Sequence, residues 1–259
     1  MMTDLKNTTN NVMNETANKK EVCLQLSNIA KIFRTQDMET HALRRVDLTI
    51  YKGDFVSISG PSGCGKSSLL AIMGLLDSPT SGSYHIVGKD VSQLGVDMRA
   101  EIRNKSIGFI FQSFNLIDEL SVFENIALVL RYREVDSGSK ELTESEIELA
   151  VHSALAQVDM GHRAEHKPNQ LSGGQQQRIA IARALVGKPA ILLVDEPTGN
   201  LDSKNGDAVM GLLKSLNKAG TTICMVTHDT RYAEFADTQM HLLDGEMITE
   251  PVFMIGEAS

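Results

Sequence analysis

Three short stretches of this 259-residue chain combine residue types that handle phosphate. The first is Gly60-Pro61-Ser62-Gly63-Cys64-Gly65-Lys66-Ser67, a GxxxxGK[ST] string. A short apolar run, Asp54 to Ser59, leads into it, and a helical run, Lys66 to Met73, follows. Glycines let the backbone curl until its N–H groups converge on an anion, and the positive end of the next helix adds to the field. Lys66 is placed to reach the outer phosphates of a nucleotide. Ser67, with Ser68 beside it, offers a hydroxyl to Mg²⁺. In isolation the string also reads as a glycine-rich turn with an exposed lysine, but its strand and helix flanks favour the phosphate loop. A dinucleotide loop fits worse, because Ser68 stands where the third glycine belongs.

The second stretch, Ile191-Leu-Leu-Val-Asp195-Glu196, is an apolar strand ending in two acids. Asp195 suits the shell of a Mg²⁺ ion, and Glu196 suits a general base aimed at a water in line with the γ-phosphate. Two solvated acids at a strand end are the bland alternative, and the phosphate loop weighs against it. The third stretch is Leu171-Ser172-Gly173-Gly174-Gln175. Ser172 and Gln175, three apart before the apolar positions Ile179, Ala182, Leu185 and Val186, form a capping box. A capped helix start with two glycines is also a bare, positive-ended phosphate receptor. One chain thus carries two such helix starts, and a monomer has no obvious use for the second.

Several elements must position these residues. Val22, Leu24 and Leu26, then Leu43, Val46, Leu48 and Ile50, alternate with polar neighbours as half-buried antiparallel strands do. The runs Ala190–Val194 and Thr222–Val226 are continuously apolar, the pattern of central strands in a parallel sheet covered on both faces. From about Ser121 to Pro168 the chain turns helical and more polar, with the charged segment Arg131 to Glu148 expected to be exposed. Near the end, Asp244-Gly245 between two short apolar runs marks a hairpin.

With these motifs in this order, the sequence from about Glu21 to Thr249 resembles the nucleotide-binding domain of an ABC transporter. The resemblance implies an α/β fold of the P-loop NTPase class. A mostly parallel core sheet, an N-terminal antiparallel β subdomain and an inserted α-helical signature subdomain are expected. Residues 21–250 would form the ATPase domain, with the helical part at about 113–170. Residues 1–20 would be a flexible polar tail and 251–259 a short C-terminal one. ATP and Mg²⁺ are the implied ligands, with Ser67, Gln112 and Asp195 toward the metal. Further site positions carry over: Gln112 as the glutamine loop, His228 as the switch histidine, Gly199 to Asp202 as the dimer-contact loop, and Phe33 as the adenine-stacking aromatic, where a tyrosine is common. Taken without the family these four are ordinary residues, an exposed glutamine, a structural histidine, a turn aspartate and a core phenylalanine. In the family, Ser172, Gly173, Gly174 and Gln175 of one subunit close over the ATP held by the phosphate loop of the other.

The wording Phe111-Gln-Ser-Phe-Asn-Leu116, Leu171-Ser-Gly-Gly-Gln-Gln-Gln-Arg178 and Asp195-Glu-Pro-Thr-Gly-Asn-Leu-Asp202 resembles one branch in particular. That branch serves macrolide export, lipoprotein release and antimicrobial-peptide export. It implies a homodimer and a separate integral-membrane permease, on which a cytoplasmic motor sits at the inner membrane. Importer subunits share much of the same wording.

Composition bounds the rivals. A 42% hydrophobic content supports a buried core, and a net charge of -8 argues against a nucleic-acid partner. No apolar run approaches the roughly 18 residues of a membrane span, and Met1 to Lys20 lacks the apolar centre of a secretory signal. Three scattered cysteines, Cys23, Cys64 and Cys224, fit a reduced compartment. A related ATPase acting on ribosomes would carry two phosphate loops, and one acting in DNA repair a long coiled coil or zinc motifs; neither pattern occurs. A module that senses ATP without hydrolysing it would lack Glu196 or His228.

Overall fold

The computed structural model describes residues 20–35, 38–133 and 141–248. The tails expected at 1–20 and 251–259 lie outside the described residues, apart from Lys20, whose ammonium is 2.9 Å from the Asp54 carboxylate.

The alternating N-terminal segment forms two long strands, β1 (Val22–Arg34) and β2 (Glu39–Tyr51), paired antiparallel with Leu24 opposite Ile50 and Leu26 opposite Leu48. On the other side of β1 lie β4 (Ser81–Ile86) and β5 (Lys89–Asp90), also antiparallel. The core strands are β3 (Phe55–Ser59), β6 (Ile107–Ile110), β7 (Ile191–Asp195) and β8 (Ile223–Val226), all parallel. Asp244-Gly245 turns β9 (Thr238–Leu243) into β10 (Glu246–Ile248), and β9 pairs parallel with β3. The antiparallel part is hydrogen-bonded to the rest at the parallel pair Glu246–Arg45, giving one ten-stranded sheet in the order β5-β4-β1-β2-β10-β9-β3-β8-β7-β6.

Burial explains why the core strands read as unbroken apolar runs. Leu192, Val194, Ile223 and Met225 point into one hydrophobic cluster, while Ile191, Leu193, Cys224 and Val226 point into another on the opposite face. A strand with a core on each side needs an apolar residue at every position. Each such side chain contributes roughly 1.5–3 kcal/mol on burial.

One face carries α1 (Lys66–Met73), packed with the antiparallel strands. The other carries α3 (Val122–Arg131), α4 (Glu144–Gln157), α5 (Gly173–Leu185) and α6 (Ser203–Lys218). Among the described residues the other α-helices are α2 (Val96–Ser106) and the single turn α7 (Thr230–Ala233). Helices α3, α4 and α5 all start with reciprocal capping boxes, Ser121 with Glu124, Thr143 with Glu146, and Ser172 with Gln175. The first two carry the same Ser/Thr-x-x-Glu signature in the sequence that the third shows with glutamine. The expectation of an exposed segment from Arg131 to Glu148 holds for most of its described residues. Residues 134–140 lie outside the described ones, and the exception is Ile147 on α4, which is buried in the helical layer.

Candidate functional site

Strand pairing assembles the site at the carboxyl ends of β3, β7 and β8. Because Asp195 pairs with Val226, the acids that end β7 meet the Thr227-His228 segment that leaves β8. Between them Lys66, Gln112, Asp195, Glu196 and His228 line one cavity of about 940 Å³. The loop residues Gly60, Pro61, Ser62, Gly63, Gly65, Ser67 and Ser68 line it as well. That volume is ample for a nucleotide.

The loop is bent by backbone no ordinary residue adopts. Gly65, at the start of α1, has φ 107° and ψ 4°, and no side chain caps this helix. A Cβ on Gly65 would drive into the Ala42 carbonyl oxygen. The first N–H groups of α1 therefore face the cavity without a side-chain acceptor, which is what an anion needs. Lys66 Nζ lies 2.8 Å from the carbonyl oxygens of both Gly60 and Pro61, so its charge is held over the loop.

Glu196 sits at φ 44°, a strained position for a residue with a side chain. Its carboxylate is fixed on both oxygens: Thr227 Oγ1 donates to Oε2 at 3.1 Å, and the His228 backbone N–H donates to Oε1 at 2.9 Å. His228 Nδ1 lies 2.7 Å from the same Oε1. Asp195 is held above the usual carboxylate range by burial and then by the neighbouring Glu196 charge, with Lys66 pulling the other way. A divalent cation would relieve that repulsion. Among the described residues no cluster of three or more His, Cys, Asp or Glu could cage a metal alone. An ion here would share its shell with phosphate oxygens, the usual arrangement for Mg²⁺.

Other expected residues stand elsewhere. Phe33 is 46% exposed, with Lys31 Nζ 5.0 Å from its ring centroid, and it pairs across the strands with Thr40 on the cavity wall. Cys64 is buried within the loop, its sulfur 3.9 Å from Lys66 Nζ. Ser172, Gly173, Gly174 and Gln175 start α5 and are not among the residues lining the cavity. Ser172 is exposed, whereas Gly174 is buried, and a Cβ there would come within 2.6 Å of Asn205 Oδ1.

The cavity also gathers residues that motif reading passes over: Thr40, His41, Ser59, Thr230 and His241. His241 Nδ1 is 2.8 Å from Ser59 Oγ because β9 lies beside β3. No local spacing encodes that pairing. Thr227, which holds Glu196, could have been found as a hydroxyl one residue before His228.

A glycine cradle at a helix start, a lysine over it and a pair of acids at the end of β7 define a nucleotide-hydrolysing α/β protein. The sequence matches the family model for the ABC transporter over residues 43–199. It is 45% identical over 225 residues to an uncharacterised ABC transporter ATP-binding protein of Methanocaldococcus jannaschii, covering 87% of this chain and 97% of that one. It is 43% identical over 227 residues to the macrolide export ATP-binding/permease protein MacB of Chlorobaculum tepidum, covering 88% of this chain but only 34% of MacB. The dimeric post-hydrolysis structure of the ATP-binding cassette MJ0796 with ADP and phosphate superposes with TM-score 0.78 at 43% identity, over 88% of this chain and 97% of that one. The chain belongs to the ABC transporter family and is an ATPase cassette of it.

Proposed function

We propose that the chain is the motor of a membrane exporter: a head-to-tail homodimer that encloses two ATP molecules and drives a separate permease. In this reading 21–250 is the working domain, with its helical part at about 113–170. The backbone of residues 60–68 and Lys66 grip the phosphates, and Phe33 stacks on the base. Ser67, Gln112 and Asp195 hold Mg²⁺, which when bound neutralises charge on the outer phosphates. Glu196 takes a proton from the attacking water, with Thr227 and the His228 backbone orienting its carboxylate, and the His228 side chain stands beside it. Ser172 to Gln175 close over the partner subunit's ATP.

One observation carries the proposal. Lys66, Gln112, Asp195, Glu196 and His228 share a cavity that Ser172 to Gln175 do not line, so the second phosphate-type helix start is left for another copy. The dimeric state of the superposed MJ0796 structures supports the same arrangement. The permease rests on MacB, whose ATP-binding and permease functions are named together and of which this chain spans about a third. Among the described residues no helix is long and apolar enough to cross a membrane. Attachment to the cytoplasmic face of the inner membrane would then come through the permease, with no nucleic-acid partner. The cargo class that fits the branch is a hydrophobic molecule, a peptide or a lipoprotein.

Glu196→Gln tests the reading. Loss of a positioned general base costs about 10²–10⁴-fold in rate. The variant should bind ATP, turn over at that reduced rate, and accumulate as a dimer in light scattering. Hydrolysis within a few-fold of the parent would overturn the assignment.

A further inference from the structure

The segment after Phe111 is held from two sides by residues outside the motif itself. Phe114 and Asn115 both adopt positive φ, at 57° and 52°, which asparagine tolerates but a bulky phenylalanine does not favour. Arg183, on the half-buried flank of α5, donates to the Phe114 carbonyl oxygen at 2.8 Å and also to that of Asn115. From the opposite side, Asn200 Nδ2 donates to the Gln112 carbonyl oxygen at 3.0 Å. Next to Asn200, Gly199 lies so close to the Gln112 side chain that a Cβ would be 2.5 Å from Nε2 and 2.9 Å from Cδ. The Gln112 amide therefore lies over the Gly199–Asn200 turn, and that turn follows directly from Glu196, since Gly199 N–H donates to the Glu196 carbonyl oxygen at 3.1 Å.

We infer that Asn200 is a positioning residue for Gln112, fixing the glutamine loop against the Gly199–Asp202 turn so that its amide stays at the metal end of the cavity. Arg183 anchors the far end of the same loop. The turn proposed to touch the partner subunit is thereby tied to the residue proposed to touch the metal, through one side-chain donor. The inference rests on the metal role given to Gln112 above.

The test compares the affinity of an imido-bridged, non-hydrolysable ATP analogue with and without Mg²⁺. Second-layer partners of a metal ligand typically contribute 10–100-fold to metal affinity. Gln112→Ala should lower the Mg²⁺-dependent gain in affinity roughly 10-fold. Asn200→Ala and the isosteric Asn200→Asp should do the same, while affinity without metal stays at the parent value. Because the two residues act as one unit, the double variant should be no worse than Gln112→Ala. In the free protein, Asn200→Ala should also speed amide hydrogen exchange at Phe114 and Asn115. Asn200 is exposed, so folding should survive each change. If Gln112→Ala leaves the metal gain intact, the role of Gln112 is wrong and the inference falls with it. If Gln112→Ala acts but the Asn200 variants do not, or if the two effects multiply, the positioning role alone is overturned.

Discussion

Helices α1 and α5 both begin beside glycines, yet they complete their N-termini in opposite ways. At α1 the residue before the helix is Gly65 in a left-handed conformation, and no side chain caps the exposed N–H groups. At α5 the start is closed within its own chain. Ser172 Oγ accepts from the Gln175 N–H at 3.4 Å, and Gln175 Oε1 accepts from the Ser172 N–H at 3.0 Å. The first start leaves its donors to a ligand and depends on a left-handed glycine, and the second satisfies two of its donors at rest. In the proposed function, this difference would separate a site that holds phosphate in its own cavity from one brought to a phosphate elsewhere. It also means that the capping reading and the phosphate reading of Ser172 are both physically sound.

The largest expected effect comes from disabling the two starts in different chains. Lys66→Ala should leave a homodimer without hydrolysis, and so should Ser172→Arg. Mixed and crosslinked, the pair contains one site with an intact loop facing an intact Ser172, and another with both defects. ATP trapping should return at half of the sites, measured as nucleotide retained per crosslinked dimer. No retention above either parent would mean that each chain binds ATP alone. Ser172 suits this test better than Gly174, because any side chain at Gly174 would also collide with Asn205 of its own subunit.

Much of this contrast was legible in the sequence, for reasons that can be traced. The phosphate loop, the acid pair and the α5 capping box are encoded in runs of adjacent residues. The two-faced burial of β7 and β8 follows from unbroken apolar runs. What stayed hidden depends on pairing between distant segments. Ser59 meets His241 only because β9, late in the chain, pairs with β3, and a parallel pairing of that kind leaves no local periodicity. Asn200 on Gln112, Arg183 on Phe114 and Asn205 under Gly174 are hidden likewise. Phe33 follows from the resemblance alone, and it stands beside Thr40 instead of among the lining residues.

A second test measures how strictly the open start requires glycine. Alanine at Gly65 must either adopt left-handed backbone, at about 1–2 kcal/mol, or relax the loop. Its Cβ must also displace the Ala42 carbonyl, which belongs to β2 and cannot swing aside as a side chain would. Gly65→Ala should therefore destabilise the protein by more than about 2 kcal/mol, the upper end of the conformational cost alone. Urea unfolding of the free protein would measure it. A loss below about 1 kcal/mol would show that the loop relaxes freely, and the idea of a rigid cradle would fail.

The smallest effect is the most discriminating, because it separates the two roles of Ser172. As a cap, Ser172 contributes about 1 kcal/mol, the usual loss when an N-cap serine becomes alanine. Aspartate caps a helix as well as serine does, and its charge suits the helix N-terminus. Ser172→Ala should thus lower unfolding stability by about 1 kcal/mol, and Ser172→Asp should leave it near the parent value. Hydrolysis should follow the reverse order. The alanine variant keeps the backbone N–H groups of Gly173 and Gly174 and loses one hydroxyl, so its rate should fall only modestly. The aspartate variant brings a carboxylate to the face that would meet the partner's phosphates, and like charges there should suppress closure and ATPase activity even though the helix is intact. Thermal or urea unfolding run beside a steady-state ATPase assay gives both readings on the same samples. If Ser172→Asp keeps both the parent stability and the parent ATPase rate, Ser172 is a cap and nothing more, and α5 has no claim on a second phosphate.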